Sequence, residues 1–177
     1  MPIGHDRLNE LQAHLLLFYT GIARTASHVA ASYLHRLDAQ PSSLAGMDDL
    51  VQSGLSLLTS SRDLAAFGGL LHEAWELKRR LGAVVSSPFI DEVYAAARSA
   101  GARGGKLVGA GGGGFILLFA DPDAHDRVRE RLRTLLHVPF EFDDLGSHII
   151  FRDREEDYAA EDRARTARLR AVQIERT

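Results

Sequence analysis

Apolar residues follow two rhythms along this chain, one of strands and one of helices. Residues 15–20, LLLFYT, form an unbroken apolar run with aromatics, the pattern of a buried strand, and Gly21 ends it. A helical spacing takes over at Ile22, Ala26, Val29, Ala30, Tyr33 and Leu37, predicting a helix over 22–37. After the loop Gln40–Ser43, Leu44, Met47, Val51, Leu55 and Leu58 mark the inner face of a second helix. A third is predicted from about Asp63 to Leu81, with Leu64, Phe67, Leu70, Leu71, Ala74, Leu77 and Leu81 inward. The next helix has explicit signposts. Ser87 is placed as N-cap, Pro88 at the first helical position, Asp91 and Glu92 near the start, Arg98 near the end and Gly101 just past it. Strands follow near 105–109 and 115–120. Asp121-Pro122 then opens a helix with Val128, Leu132, Leu135 and Leu136 inward, and two short strands near 138–142 and 147–151 close the series.

Helices grouped apart from tight strand pairs predict an α+β fold with a largely antiparallel sheet of four to five strands against a helical layer. That domain is assigned residues 1–151. Beyond it, residues 152–177 hold seven arginines and seven acidic residues with few large apolar side chains. This tail is expected to be a frayed helical extension or disordered.

Composition narrows the chemistry. The 177 residues contain no cysteine, which excludes disulfides, thiolate nucleophiles and cysteine-based zinc sites. A net charge of −3 gives no general reason to bind nucleic acid. No apolar run approaches the length of a membrane span, and MPIGHDRLNE has no signal-peptide core, so a cytoplasmic protein is expected. Of 21 basic residues only Lys78 and Lys106 are lysine. A coding bias toward arginine accounts for most of that skew, and against it the two lysines stand out as compact ammonium groups at particular places.

The densest chemical signal is residues 104–120, GGKLVGAGGGGFILLFA. Four consecutive glycines between two apolar runs fit a mobile hairpin tip. They equally fit a loop whose backbone approaches another segment or an anion closely. Gly109-x-Gly111-x-x-Gly114 matches the dinucleotide fingerprint in letters, but a strand follows where that motif needs a helix. There is no Walker lysine, no HExxH and no G-x-S-x-G. The eight histidines make no metal spacing, so no metal site is assigned. Charges in His72–Arg80 read as a solvated helix face with a Glu76–Arg80 attraction.

KLVGAGGGGF resembles the third motif of the GHMP kinases, a superfamily of small-molecule kinases. With LLLFYTGIARTAS, LLHEAWELKRRL, SSPFIDEVYAAARSAGARGG and HVPFEFDDLGSHIIF, in order over residues 10–151, the chain is similar to the C-terminal lobe of the sugar kinases typified by D-glycero-D-manno-heptose 7-phosphate kinase. The resemblance implies ATP-dependent transfer of the γ-phosphoryl to an anomeric hydroxyl, with ATP and Mg2+ as cofactors of the full enzyme. It places Gly109, Ala110, Gly111, Gly112 and Gly113 at the cleft in support of the phosphate loop. It makes Lys78, Arg24 and Lys106 candidate sugar-phosphate contacts. The family's second, phosphate-wrapping motif and its catalytic aspartate have no counterpart in these residues, so no catalytic residue is assigned and the chain alone is expected to be inactive. The expected partners are a small sugar phosphate and the N-terminal kinase lobe, or self-association through the face that lobe would cover. The alternative is a non-catalytic sugar-phosphate-binding or assembly module of the same fold. Past WELK the group reads more like S-L-S-S-K, where this chain has Arg80-Leu81-Gly82-Ala83-Val84.

Overall fold

The sheet is built on β1 (Leu15–Tyr19), whose apolar run places it in the middle of a four-stranded antiparallel array. In the computed structural model, residues 3–34, 41–143, 146 and 158–174 are described. The strand order is β2 (Ala102–Leu107), β3 (Phe115–Ala120), β1 and β4 (Leu136–His137). Leu17 pairs with Leu117, and Lys106 pairs with Leu117 from the other side. Period-two alternation divides the side chains between two apolar clusters. Leu16, Phe18, Ile116 and Leu118 join Ile90, Val93, Tyr94 and Ala97 of α5 (Pro88–Ser99) and Val128 of α6 (His125–Arg131). Leu15 and Phe119 join Leu11 of α1 (His5–Ala13), Leu64 and, at the margin, Phe67 and Leu71 of α4 (Ala65–Arg80). The remaining helices of this unit are α2 (Ala26–Leu34) and α3 (Pro41–Leu58).

The signposts of α5 act as their chemistry dictates. Ser87 is extended, its Oγ accepts the Ile90 N–H at 3.4 Å, and Gly101 with φ +115° takes the chain out of the helix. The contact of α4 with β2 depends on missing side chains. A Cβ on Gly104 would lie 1.8 Å from the Gly68 carbonyl oxygen, so only glycine lets this helix lie so close to the strand. Trp75 of α4 is fully buried beside Tyr94, with ring centroids 6.3 Å apart.

Several sequence expectations are corrected. The helix α1 was not foreseen, because it carries few apolar positions and buries only Leu11. Strand β2 begins and ends earlier than 105–109. No strand forms at 138–142. Val138 N–H still donates to Leu17 O of β1 at 2.8 Å, but beyond it the backbone answers to a side chain: Gln12 Nε2 donates to Phe140 O at 2.9 Å, and Phe142 N–H donates to Gln12 Oε1 at 3.1 Å. The expected strand at 147–151 lies outside the described residues. Leu136 sits in β4 and is 65% exposed, because the helix before it stops at Arg131 after a preceding 3₁₀ turn, Pro122–Ala124. The expected inner face of α3 is largely uncovered. Val51 is 64% exposed and Leu44 and Leu55 are open, while Gly54 and Leu57 are the buried positions. Glu76 pairs with Arg79 at 3.0 Å, not with Arg80, because Arg79 is also drawn to Asp91 at 3.1 Å.

The chain divides into two compact units, Met1–Phe142 and Asp143–Thr177. Helix α7 (Ala159–Ile174) belongs to the second, with Glu161 and Asp162 in its first turn. Among the described residues no helix is long and apolar enough to cross a membrane.

Candidate functional site: the glycine loop and its two flanks

The turn between β2 and β3 is an ordered clip. Gly109, Gly111, Gly112 and Gly114 all have positive φ, between +74° and +110°, a region that side chains rarely enter. Gly112 N–H donates to Val85 O at 2.9 Å, and Gly114 N–H donates to Ile22 O at 2.8 Å. Gly114 O in turn accepts from Thr20 N–H at 2.9 Å and from the Thr20 hydroxyl at 2.8 Å, and Thr20 is buried. The loop is thus sewn to the segment after β1 on one side and to the α4–α5 connection on the other. Its middle glycines are gripped. A Cβ on Gly113 would stand 2.6 Å from Ile22 O, and one on Gly111 2.8 Å from Val85 O. Around Gly109 there is open space. Of the two readings open in the sequence, the close-approach loop is the one formed. Among the described residues the N–H groups of Ala110, Gly111 and Gly113 find no protein acceptor, although Gly111 and Gly113 are buried. Buried donors of that kind call for a partner.

The candidate substrate residues fall on opposite flanks of this loop. Arg24 lines a polar cleft of about 550 Å3 with Thr25, His28, Ser86, Ser87 and Gly112. Ser86 Oγ donates to Asp91 Oδ1 at 2.6 Å, so the Arg79–Asp91 pair fixes the 82–87 connection that forms one wall. Lys78 and Lys106 lie together elsewhere, on the margin of an apolar groove between α3 and α4. Lys78 Nζ donates to Leu107 O at 3.2 Å and also to Gly109 O. Burial, with the charge of Lys106 as a smaller cause, lowers its pKa from 10.5 to about 8. Lys78 therefore anchors the loop's first glycine by its carbonyl, a role the helix spacing of WELK did not reveal.

Behind the loop, His72 Nδ1 and the Tyr94 hydroxyl share a hydrogen bond of 2.8 Å. Burial pushes the Tyr94 phenol up to about 12, which keeps its proton in place at physiological pH. Among the described residues no group of three or more His, Asp or Glu could hold a metal ion.

Residues 55–138 match the family model described as GHMP kinases C terminal, and the match contains α4, α5, β2, β3 and the whole glycine loop. The chain carries a GHMP kinase C-terminal domain. It is 33% identical over 139 residues to a bifunctional fucokinase/GDP-fucose pyrophosphorylase of Arabidopsis thaliana, covering 76% of this chain and 13% of that protein. It is 28% identical over 127 residues to the D-glycero-alpha-D-manno-heptose 7-phosphate kinase of Campylobacter jejuni, covering 71% of this chain and 37% of that one. Among solved structures, the L. major mevalonate kinase in complex with R-mevalonate superposes with a TM-score of 0.59 at 26% identity, over 68% of this chain and 37% of that chain. The chain thus spans little more than a third of these kinases at most.

Proposed function

We propose that this GHMP domain is the C-terminal lobe of an ATP-dependent sugar-phosphate kinase of the heptose 7-phosphate type. In the assembled enzyme the γ-phosphoryl passes to the anomeric hydroxyl, and the groups that wrap the nucleotide come from a lobe outside these 177 residues. The observation that carries this reading is the clipped glycine loop, which has unused amides at Ala110, Gly111 and Gly113 and the Arg24 cleft against Gly112.

The parts fit the implied cofactors unequally. The amides of Ala110, Gly111 and Gly113 are donors suited to a phosphate oxygen, and orphaned donors in a tight loop are the usual form of an anion cradle. ATP supplies the phosphoryl group. Magnesium is different: the described residues offer no cluster of carboxylates for it, so its ligands are assigned to the other lobe. Phosphoryl transfer depends on positioning and charge neutralisation, and this chain holds only part of each. The isolated chain is therefore proposed to bind a sugar phosphate without transferring phosphate.

Within the chain, Arg24 is the proposed phosphate contact, because its cleft also offers Ser and Thr hydroxyls to sugar oxygens. The apolar surroundings of Lys78 and Lys106 offer a sugar few such partners. The test is thermal denaturation with heptose 7-phosphate. Ligand at 100 times its dissociation constant stabilises by about 2.7 kcal/mol, which for a chain of this size raises Tm by roughly 5–10 °C. Arg24→Gln should abolish the rise. No rise with any sugar phosphate, or an equal rise in Arg24→Gln, would reject this site. ATP-dependent phosphorylation of the sugar by the pure chain would reject the half-site reading.

A further inference from the structure

The groove between α3 and α4 has a volume of about 490 Å3, within the range of small-molecule sites. Its walls are apolar, with Met47, Val51 and Leu55 on α3 and Phe67 and Leu70 on α4. The polar end is formed by Lys78 and Lys106, the chain's two lysines. No acidic residue lines the groove. Every ion pair among the described residues uses an arginine, so neither lysine has a carboxylate partner. Lys78 gives two of its three Nζ donors to carbonyl oxygens, and the Lys106 ammonium donates to no protein group among the described residues.

An apolar trench ending in two uncompensated ammonium groups complements a molecule with a hydrocarbon tail and one anionic head. We propose that this groove binds a medium-chain acyl carboxylate, its tail between α3 and α4 and its carboxylate on Lys78 and Lys106. A second copy of the chain presenting the same groove would bring no counter-charge from its lining, which holds no acidic residue. A sugar would leave its hydroxyls against methyl groups and aromatic edges. The proposal does not depend on the kinase reading, which uses the opposite flank of the glycine loop.

Met47 lines the groove, and the chain has only one other methionine, Met1, so methionine methyl NMR of the full 177-residue chain reads the site directly. Decanoate and decan-1-ol, both below aggregation concentrations, are the probes. Decanoate should shift the Met47 methyl saturably and bind roughly tenfold or more tighter than the alcohol, the factor expected for one charge-assisted contact. Lys106→Gln and Lys78→Gln should each reduce that preference. The Lys106 side chain makes no hydrogen bond among the described residues, so its variant decides the matter even if Lys78→Gln fails to fold. Raising the pH from 7 to 9.5 should also weaken decanoate relative to decanol, because Lys78, faced by Lys106 as its one charged neighbour in the groove, deprotonates near 8. Equal affinities for acid and alcohol, a preference that survives Lys106→Gln, or a silent Met47 methyl would overturn the proposal. So would a dimer in light scattering that decanoate does not dissociate.

Discussion

Replacing Gly113 by alanine should damage this domain far more than the same change at Gly109, although both sit in one glycine-rich loop. At Gly113 the new Cβ would lie 2.6 Å from Ile22 O and 2.7 Å from Ile22 Cγ2, against 3.4 Å for the start of ordinary contact. The oxygen is backbone and cannot swing away. Moving it by the missing distance stretches the Gly114 N–H to Ile22 O bond at 2.8 Å and disturbs the two Thr20 bonds to Gly114 O. Overpacking of this kind costs about 1–3 kcal/mol, and one weakened buried hydrogen bond adds about 1 kcal/mol. The total, about 2–4 kcal/mol, corresponds to a Tm loss of roughly 4–16 °C for a domain of this length. At Gly109 the Cβ enters open space, and only the positive φ of +78° is penalised. That conformation costs a side chain about 1–2 kcal/mol, or roughly 2–8 °C. Differential scanning calorimetry of the two variants beside the parent separates the cases. Equal losses, or a greater loss at Gly109, would refute the clip and restore the mobile tip.

Thr20→Val should lower stability by about 1–2 kcal/mol, because it leaves Gly114 O without its buried hydroxyl donor, and urea denaturation reads this directly. Gly104→Ala should be the most severe single change, since its Cβ would fall 1.8 Å from Gly68 O; insoluble expression or a Tm loss beyond that of Gly113→Ala is expected. Lys78 should titrate near pH 8 in side-chain carbon NMR, and Lys106→Met should raise that value by removing the nearby like charge, though burial keeps it below 10.5. The folded state then holds fewer protons on Lys78 than the unfolded state between pH 8 and 10.5. Its contribution to stability therefore rises with pH across that window, and denaturation midpoints of the parent should gain on those of Lys78→Met.

The sequence was most informative where one residue's local chemistry decides the backbone. Ser87-Pro88 starts α5 and Gly101 ends it, and both act within a turn of where they stand. The unbroken apolar run at 115–120 likewise marks a strand, and β3 indeed packs side chains into both clusters. The failures share a different cause. Beyond Val138 the strand signal at 138–142 loses to Gln12, a residue over 120 positions away whose side chain takes the backbone bonds of Phe140 and Phe142. On α3 the periodicity of Leu44, Met47, Val51 and Leu55 was present, but periodicity cannot say whether a neighbour covers the stripe. For the site, the glycine cluster was visible, yet nothing local shows that Gly111 and Gly113 are gripped by Val85 and Ile22. Nor does spacing show that Arg24 lies on one flank of the loop and Lys78 with Lys106 on the other.

Amide NMR of the isolated chain titrated with heptose 7-phosphate in the presence of ATP and Mg2+ tests the half-site most directly. The account predicts saturable shifts at Arg24, His28, Ser86 and Gly112, with the sugar phosphate unchanged after prolonged incubation. Shifts confined to other surfaces, no shifts at all, or conversion of the sugar phosphate to a bisphosphate by the chain alone would contradict it.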